Sequence, residues 1–357
     1  MPLHLKDVAA RAGVSTATAS RVLRAVPGVS DKARNAVWAA VDVLGYRRPS
    51  DRERLRPVGV VTLQRPSALL DATGDVRARL ISRFAADGLA TAVLPVAADD
   101  GPDAEARAID ALLRAGASAL VIMTGRELST ADAAVRAYRR AAGEGIPVAV
   151  IGASRHAGEP AVPEWQRSLT RMGVDEAAAM DAGVKHLVSI GHRRIALTLP
   201  EQADKSGAAQ GFRRSMAARL HIVGSRADAP VVVAADTVES GTQTAGELVD
   251  SGSTAIIAGS PALTLGALAA ARRRGLGVPE RLSVVGYCDV PGGESLDPPL
   301  TVVRVPAGAM ADAAAGEVLR AVRARPEPPG RIAMAAPDLT FQGELVVRSS
   351  TSRPIRR

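Results

Sequence analysis

Four residues of one short stretch, Thr16, Ala17, Ser20 and Arg21, have types and spacing that could do chemistry on another molecule's surface. All are small or hydroxylated except for one long guanidinium. A helix presenting them would enter a DNA major groove, about 12 Å wide, without a bulky obstruction. Bond-making chemistry is harder to find. His4, His156, His186, His192 and His221 show no HExxH or other metal spacing, and no G-x-S-x-G elbow, P-loop or strand-following G-x-G-x-x-G occurs. Cys288, the single cysteine, reads as a packed thiol or a redox thiol; alone, it forms no internal disulfide, which suits a reducing cytoplasm. No enzyme, metal or cofactor is expected.

The elements that must position the four residues are legible around them. Residues 6–12 put Val8, Ala9 and Ala12 on one side of a helix. Gly13 breaks it, and Ser15 offers an N-cap oxygen to the next helix, in which Ala19, Val22 and Leu23 face inward. This is a helix-turn-helix. Alanine-rich helical pairs also occur without function, but the spacing, the N-terminal position and the charge argue for DNA contact. Residues 1–56 carry eleven Lys and Arg against five Asp and Glu, a net +6 of the chain's +8. A cationic head on a nearly neutral body argues for phosphate contact by that head.

Pro27-Gly28 then turns the chain, and Ser30 caps a third helix with Asp31 in its first turn and a stripe of Val37, Trp38, Val41 and Leu44. Gly45 ends it. Trp38 is expected to complete the core of this head. Residues 47–56, RRPSDRERLR, hold five arginines and two acids; they read as a solvated linker or as a basic run following phosphates into the adjoining minor groove.

At 357 residues, 47% of them apolar, the chain is long enough for a head and a body of one or two lobes. No signal peptide is visible, and the longest uncharged run, 251–271, is interrupted by Gly259-Ser260-Pro261, so strand then helix is expected rather than a membrane span. From Val58 apolar runs alternate with amphipathic ones. Strands are expected at 58–63, 91–94, 119–123, 148–151, 195–199, 231–234, 255–258 and 282–285. Helices are expected at 76–86, 103–115, 130–142, 175–190, 207–218, 240–250 and 262–274. The fold class is therefore an all-α helix-turn-helix head, 1–46, an arginine-rich hinge, 47–57, an α/β body of two doubly wound lobes, 58–350, and a polar tail, 351–357. Ligands of such sheets sit beyond the carboxyl ends of strands, which singles out Gln64, Thr124, Ser154, Ser260, Cys288 and Asp289.

The stretches LKDVAARAGVSTATASRVL and GVSDKARNAVWAAVDVLGY resemble the DNA-binding domain of the lactose-repressor (LacI-type) transcriptional regulators. The runs at 174–197, 275–287, 296–304 and 345–350 are similar to blocks of that family's body. The resemblance implies a cytoplasmic homodimer that binds a roughly palindromic double-stranded operator, most often as a repressor, and a periplasmic-binding-protein-like body that responds to a small-molecule effector. It places Thr16, Ala17 and Arg21 among base readers and Ser15, Thr18 and Ser20 among phosphate-facing residues. Two departures stand out. The family's Ala-Arg-x-Leu linker is absent, which leaves Leu55 as the one apolar candidate for a minor-groove wedge and Arg47, Arg48, Arg54 and Arg56 to contact phosphates. Ala208, Ser260-Pro261 and Cys288 stand where sugar-binding members carry polar anchors, so a simple sugar is disfavoured as effector. A body that acts as a ligand-free dimerisation scaffold, or that answers to a protein partner, is the alternative.

Overall fold

The computed structural model describes residues 4–23, 29–44, 56–64, 72–97, 100–123, 128, 132–152, 164–201, 207–222, 229–290, 292–323 and 336–355. Its contacts divide the chain into two units: Met1–Pro57 with the turn Gly88–Ala90, and Val58–Asp87 with Thr91–Arg357.

Among the described residues the first unit holds three helices, α1 (Leu5–Ala12), α2 (Thr16–Leu23) and α3 (Asp31–Leu44). The Asp7 carboxylate accepts from the His4 amide at 2.7 Å and so starts α1. Gly13 ends it at φ 66°, a left-handed conformation that a side chain would oppose, and the Val14 amide returns to the Ala9 carbonyl at 3.0 Å. Ser15 Oγ accepts from the Thr18 amide at 3.1 Å, capping α2. Val8, Ala9, Ala19, Val22, Leu23, Val37 and Ala40 close a small core. Trp38 is not part of it. The inward row of α3 runs through Val37, Ala40, Val41 and Leu44, and the next position round the helix leaves Trp38 44% exposed.

The second unit contains two sheets. The first is built from β1 (Val58–Gln64), α4 (Ala72–Ala86), β2 (Thr91–Ala97), α5 (Gly101–Arg114), β3 (Ala119–Met123), α6 (Ala133–Gly143), β4 (Val148–Ile151) and β5 (Leu169–Val174). The chain then crosses to α7 (Glu176–Ser189), β6 (Ile195–Pro200), α8 (Gly207–Ile222), β7 (Val231–Ala234), α9 (Val238–Asp250), β8 (Ala255–Ala258), α10 (Pro261–Arg273), β9 (Ser283–Tyr287) and β10 (Thr301–Arg304). It returns through α11 (Ala307–Arg323) and β11 (Asp338–Phe341) and crosses a third time to β12 (Glu344–Val346).

Strand order is β11-β5-β4-β3-β1-β2 in one sheet and β12-β10-β9-β8-β6-β7 in the other. Every described pairing is parallel except β10 with β12. The β-branched and leucine-rich strands suit burial on both faces. In the second sheet Ile195, Leu197 and Leu199 meet Met180, Leu187 and Phe212 of α7 and α8. Ala196, Ile256 and Val284, on the opposite face, meet Leu248, Ala267 and Ala270 of α9 and α10. In the first sheet α5 and α6 share a core around Ile109, Leu112 and Tyr138, and α4 packs with α11. Buried Glu105 accepts a hydrogen bond from the Tyr138 hydroxyl within that core.

Ser350 and Ser352, on either side of the start of the polar tail expected at 351–357, are bound into the second lobe as a strap. Ser350 Oγ donates to the Val284 carbonyl at 2.6 Å, and the Ser352 amide donates to Ser283 Oγ at 3.0 Å. His192, 1% exposed, sits beneath this strap with Nδ1 2.9 Å from Thr254 Oγ1 and Nε2 2.9 Å from the Ser352 carbonyl. The carbonyl can only accept, which assigns Nε2–H as donor and leaves Nδ1 to accept from Thr254. Burial pushes the imidazole down to about 4, with the charges of His186 and Arg193 adding to the effect. Between pH 6.5 and 4 the unfolded chain therefore binds more protons at this residue than the folded one. The stability this contributes is complete above pH 6.5 and lost as pH falls toward 4, about 3 kcal/mol in all. Urea unfolding at stepped pH should show that decline in the wild type and a flatter one in His192→Asn. Equal slopes in the two proteins would remove His192 as the cause.

Candidate functional site

The outer face of α2 assembles most of the polar residues picked out near the N-terminus. Ser15, Thr16, Ala17 and Arg21 are exposed, and Thr18 and Ser20 are half-buried. Ser15 Oγ and Thr18 Oγ1 lie 2.9 Å apart and share a hydrogen bond, so these two hydroxyls form one polar edge at the start of the helix. Arg21 lies in the last turn, the only basic residue there. Arg56 is exposed; Arg47, Arg48, Arg54 and Leu55 lie outside the described residues.

In the second unit the parallel strands put their carboxyl ends along one edge of each sheet. The order 2-1-3 makes a topological switch between β1 and β3, and the same order recurs between β6 and β8. Gln64 closes β1 at the first switch. Thr124 and Ser154 lie outside the described residues. Ser260 stands at the second switch with its hydroxyl engaged twice, accepting from the Leu263 amide at 3.1 Å as the N-cap of α10 and donating to Asp236 at 2.5 Å. Pro261 follows in the first turn, where the missing amide costs nothing.

Cys288, half-buried, has φ 66° and donates its amide to the Val303 carbonyl at 3.0 Å. The adjacent Tyr287 phenol is raised well above its ordinary range by burial, reinforced by Cys288 and Glu176. Asp289 is held by Arg304 at 3.0 Å and by Arg348, whose two terminal nitrogens donate at 3.2 and 3.0 Å. Burial alone would raise the Asp289 pKa, but these two guanidinium partners outweigh it and hold the carboxylate below the usual range. Arg348 also donates to the Leu300 carbonyl at 2.6 Å, so the pair ties down the turn between β9 and β10. Ala208 is buried against the α8 core.

Three residues at this edge escaped the sequence reading. Asp236 follows the β7 strand and was open to the same strand-end rule that picked out Ser260. Arg304 and Arg348 had no local signal, since they meet Asp289 from 15 and 59 residues away. Among the described residues no group of three or more His, Cys, Asp or Glu could hold a metal ion, and no helix is long and apolar enough to cross a membrane.

A tri-helical head with an exposed second helix, followed by two doubly wound lobes threaded by three crossings, defines a helix-turn-helix regulator with a periplasmic-binding-protein-like body. The comparisons agree with this class: residues 4–49 match the lacI family of bacterial regulatory proteins, and residues 184–351 match the periplasmic binding protein-like domain. The chain is 35% identical over 361 residues to the HTH-type transcriptional regulator MalR of Streptomyces coelicolor, covering 99% of this chain and 97% of that one. It is 36% identical over 353 residues, 98% and 95% of the two chains, to an uncharacterized HTH-type transcriptional regulator in the aml 5′ region of Streptomyces limosus. The solved Lac repressor dimer bound to operator and the anti-inducer ONPF is similar with a TM-score of 0.70 and 25% identity, covering 99% of this chain and 100% of that one. The chain belongs to the LacI family and is a helix-turn-helix transcriptional regulator.

Proposed function

We propose that the protein is a cytoplasmic, dimeric repressor, without enzymatic activity, that reads a roughly palindromic operator through α2. In this reading Thr16, Ala17 and Arg21 meet base edges, and Ser15, Thr18 and Ser20 meet phosphates. Arg47, Arg48, Arg54 and Arg56 follow the backbone, with Leu55 the one apolar residue among them. The observation that carries the reading is the capped, glycine-turned α1–α2 pair whose outer face combines hydroxyls with one guanidinium. Sequencing the DNA fragments that the purified protein retains from sheared genomic DNA tests it. A recurring palindromic motif is expected; fragments without a shared motif would refute it.

The body would answer to a small molecule held at the carboxyl edges of the two sheets, with Gln64, Thr124, Ser154, Ser260, Cys288 and Asp289 the residues nearest by strand position. A hundredfold change in occupancy requires about 2.7 kcal/mol of differential binding between two lobe arrangements. A second reading has its own support. Ser260 and Asp289 already spend their polar groups inside the protein, and Ala208 brings none, as expected of a body kept as a dimerisation scaffold or governed by a partner protein. A thermal-shift screen of sugars, nucleosides and small acids separates the two. A compound that raises the melting temperature and releases operator DNA favours the sensor, and a silent screen favours the scaffold.

A further inference from the structure

The amino edge of the second sheet, opposite the strand ends considered so far, gathers charge. α7, α9 and α10 each return the chain to the amino end of the next strand, β6, β8 and β9, and these three strands are neighbours in the sheet. His192 joins the turns between them. Its Nδ1 lies 2.9 Å from Thr254 Oγ1, and its Nε2 lies 3.0 Å from Ser283 Oγ and 2.9 Å from the Ser352 carbonyl. The Thr254 amide donates to the Arg194 carbonyl at 2.9 Å, and Ser352 Oγ donates to the Pro279 carbonyl at 3.0 Å. Residues 190–194, 250–254, 272–283 and 350–355 thus form one hydrogen-bonded frame.

That frame carries seven arginines against two acids, Asp250 and Glu280. Residues 57–357 as a whole carry 34 Lys and Arg against 32 Asp and Glu, so the rest of the body is slightly acidic and the positive charge is segregated here. Two of the seven arginines serve helix ends. Arg193 donates to the Val188 carbonyl in the last turn of α7 at 3.2 Å, and Arg274, following α10, pairs with Asp250 at 2.7 Å. The other five, Arg194, Arg272, Arg273, Arg281 and Arg353, are exposed and make no ion pair among the described residues.

The character of the frame selects its partner. A protein interface is built on an apolar centre, but the one large apolar side chain that the frame leaves exposed is Ile355. A small anion would be gripped by converging buried donors, whereas these guanidinium groups are exposed and spread over four segments. Duplex DNA offers what such a surface can meet, an extended backbone with one negative charge per roughly 1.7 Å of helix axis. We propose that the amino edge of the second sheet is a second DNA-contacting surface, one that grips the phosphates of a duplex without regard to sequence. The inference is independent of which operator α2 reads.

The test uses the full chain and random-sequence duplex DNA. Phenylglyoxal labelling, mapped by mass spectrometry, is expected to fall severalfold at Arg194, Arg272, Arg273, Arg281 and Arg353 when the duplex is added to the wild type. In titrations with a duplex too short to span two surfaces, a class of sites beyond those of the head is expected, with log affinity falling against log salt at a slope of about −4 for five phosphate contacts. Replacing all five arginines by glutamine should weaken that class about tenfold or more at low salt and leave the head's class unchanged. Protection confined to the head would overturn the proposal, and so would an unchanged titration in the folded variant. Equal protection by single-stranded polyuridine or by polyglutamate would overturn the assignment to duplex DNA. The labelling is read on the wild type, so it decides the matter even if the variant fails to fold.

Discussion

Replacing Arg21 by alanine is expected to cost the protein most of its preference for its operator over random DNA while leaving the body folded. A guanidinium can donate to guanine O6 and N7 together, and such a bidentate contact is worth about 1–3 kcal/mol of discrimination, a factor of roughly 5 to 150. The rest of the face has no comparable reader. Ala17 can offer only contact with a thymine methyl group, and the hydroxyls of Thr16 and Ser20 accept or donate to either kind of base pair. Arg21→Lys sharpens the test. Lysine keeps the charge but loses the planar fork, so it should discriminate nearly as poorly as alanine while binding random DNA as the wild type does. Gel-shift competition between a selected fragment and random DNA measures both quantities. Preference intact in Arg21→Ala would place the reading elsewhere. Because Arg21 is exposed, the melting temperature should hardly move in either variant.

The second large effect concerns the body, and its sign runs against helix propensity. Alanine is ordinarily preferred to glycine within a helix by about 1 kcal/mol. At the crossing of α9 and α10 the preference should reverse, because a methyl group on Gly266 would lie 2.6 Å from the carbonyl carbon of Gly241 and 2.7 Å from the Thr242 nitrogen. These are backbone atoms and cannot swing aside, so the helices must separate and loosen the packing of Ala245, Leu248, Ala267 and Ala270. A loss of about 3 kcal/mol is expected for Gly266→Ala, roughly a 10 °C drop in melting temperature. Gly316 of α11 is the control: nothing lies within 4 Å of an added methyl group there, and the same replacement should stabilise by about 1 kcal/mol. Calorimetry on the two variants would give opposite shifts. A drop in both, or in neither, would show that the helix crossing is not the close contact described.

The elements of the head and most of the strands were legible because their signals are local. Gly13, Ser15 and the Ala19, Val22, Leu23 row sit within a few residues of one another, and the runs 119–123, 148–151, 231–234 and 255–258 are bounded by turn residues at both ends. What was missed depends on distant partners. β5 carries Arg171 in its middle, which spoils an apolar strand unless Asp338, 167 residues on, is there to pair with it at 2.5 Å. The return of α11 and β11 to the first sheet is a property of topology that no periodicity announces. Trp38 was misplaced for a different reason: it was counted into the stripe of Val37, Val41 and Leu44, but Val37 one position earlier takes the inward slot. At the carboxyl edge of the second sheet the places of Ser260 and Asp289 after their strands were legible and their hydrogen-bond partners were not. That Asp289 is committed to two arginines, and Ser260 to Asp236, follows only from where the loops fold back.

The order in which the chain emerges from the ribosome gives the threading a cost in time. When β5 has left the exit tunnel, the first lobe still lacks its edge strand β11 and the helix α11 that packs on α4, and both are encoded beyond all of the second lobe except β12 and the final strap. Until then an unfinished sheet edge and the apolar side of α4 await partners more than a hundred residues downstream, a state open to chaperones and to misassociation. The second lobe has nearly the reverse situation, since all but β12 and the final strap is made in one continuous run. Synthesis should therefore yield a largely built second lobe before the first can close, and truncation before residue 338 should expose the early half of the body rather than the late one.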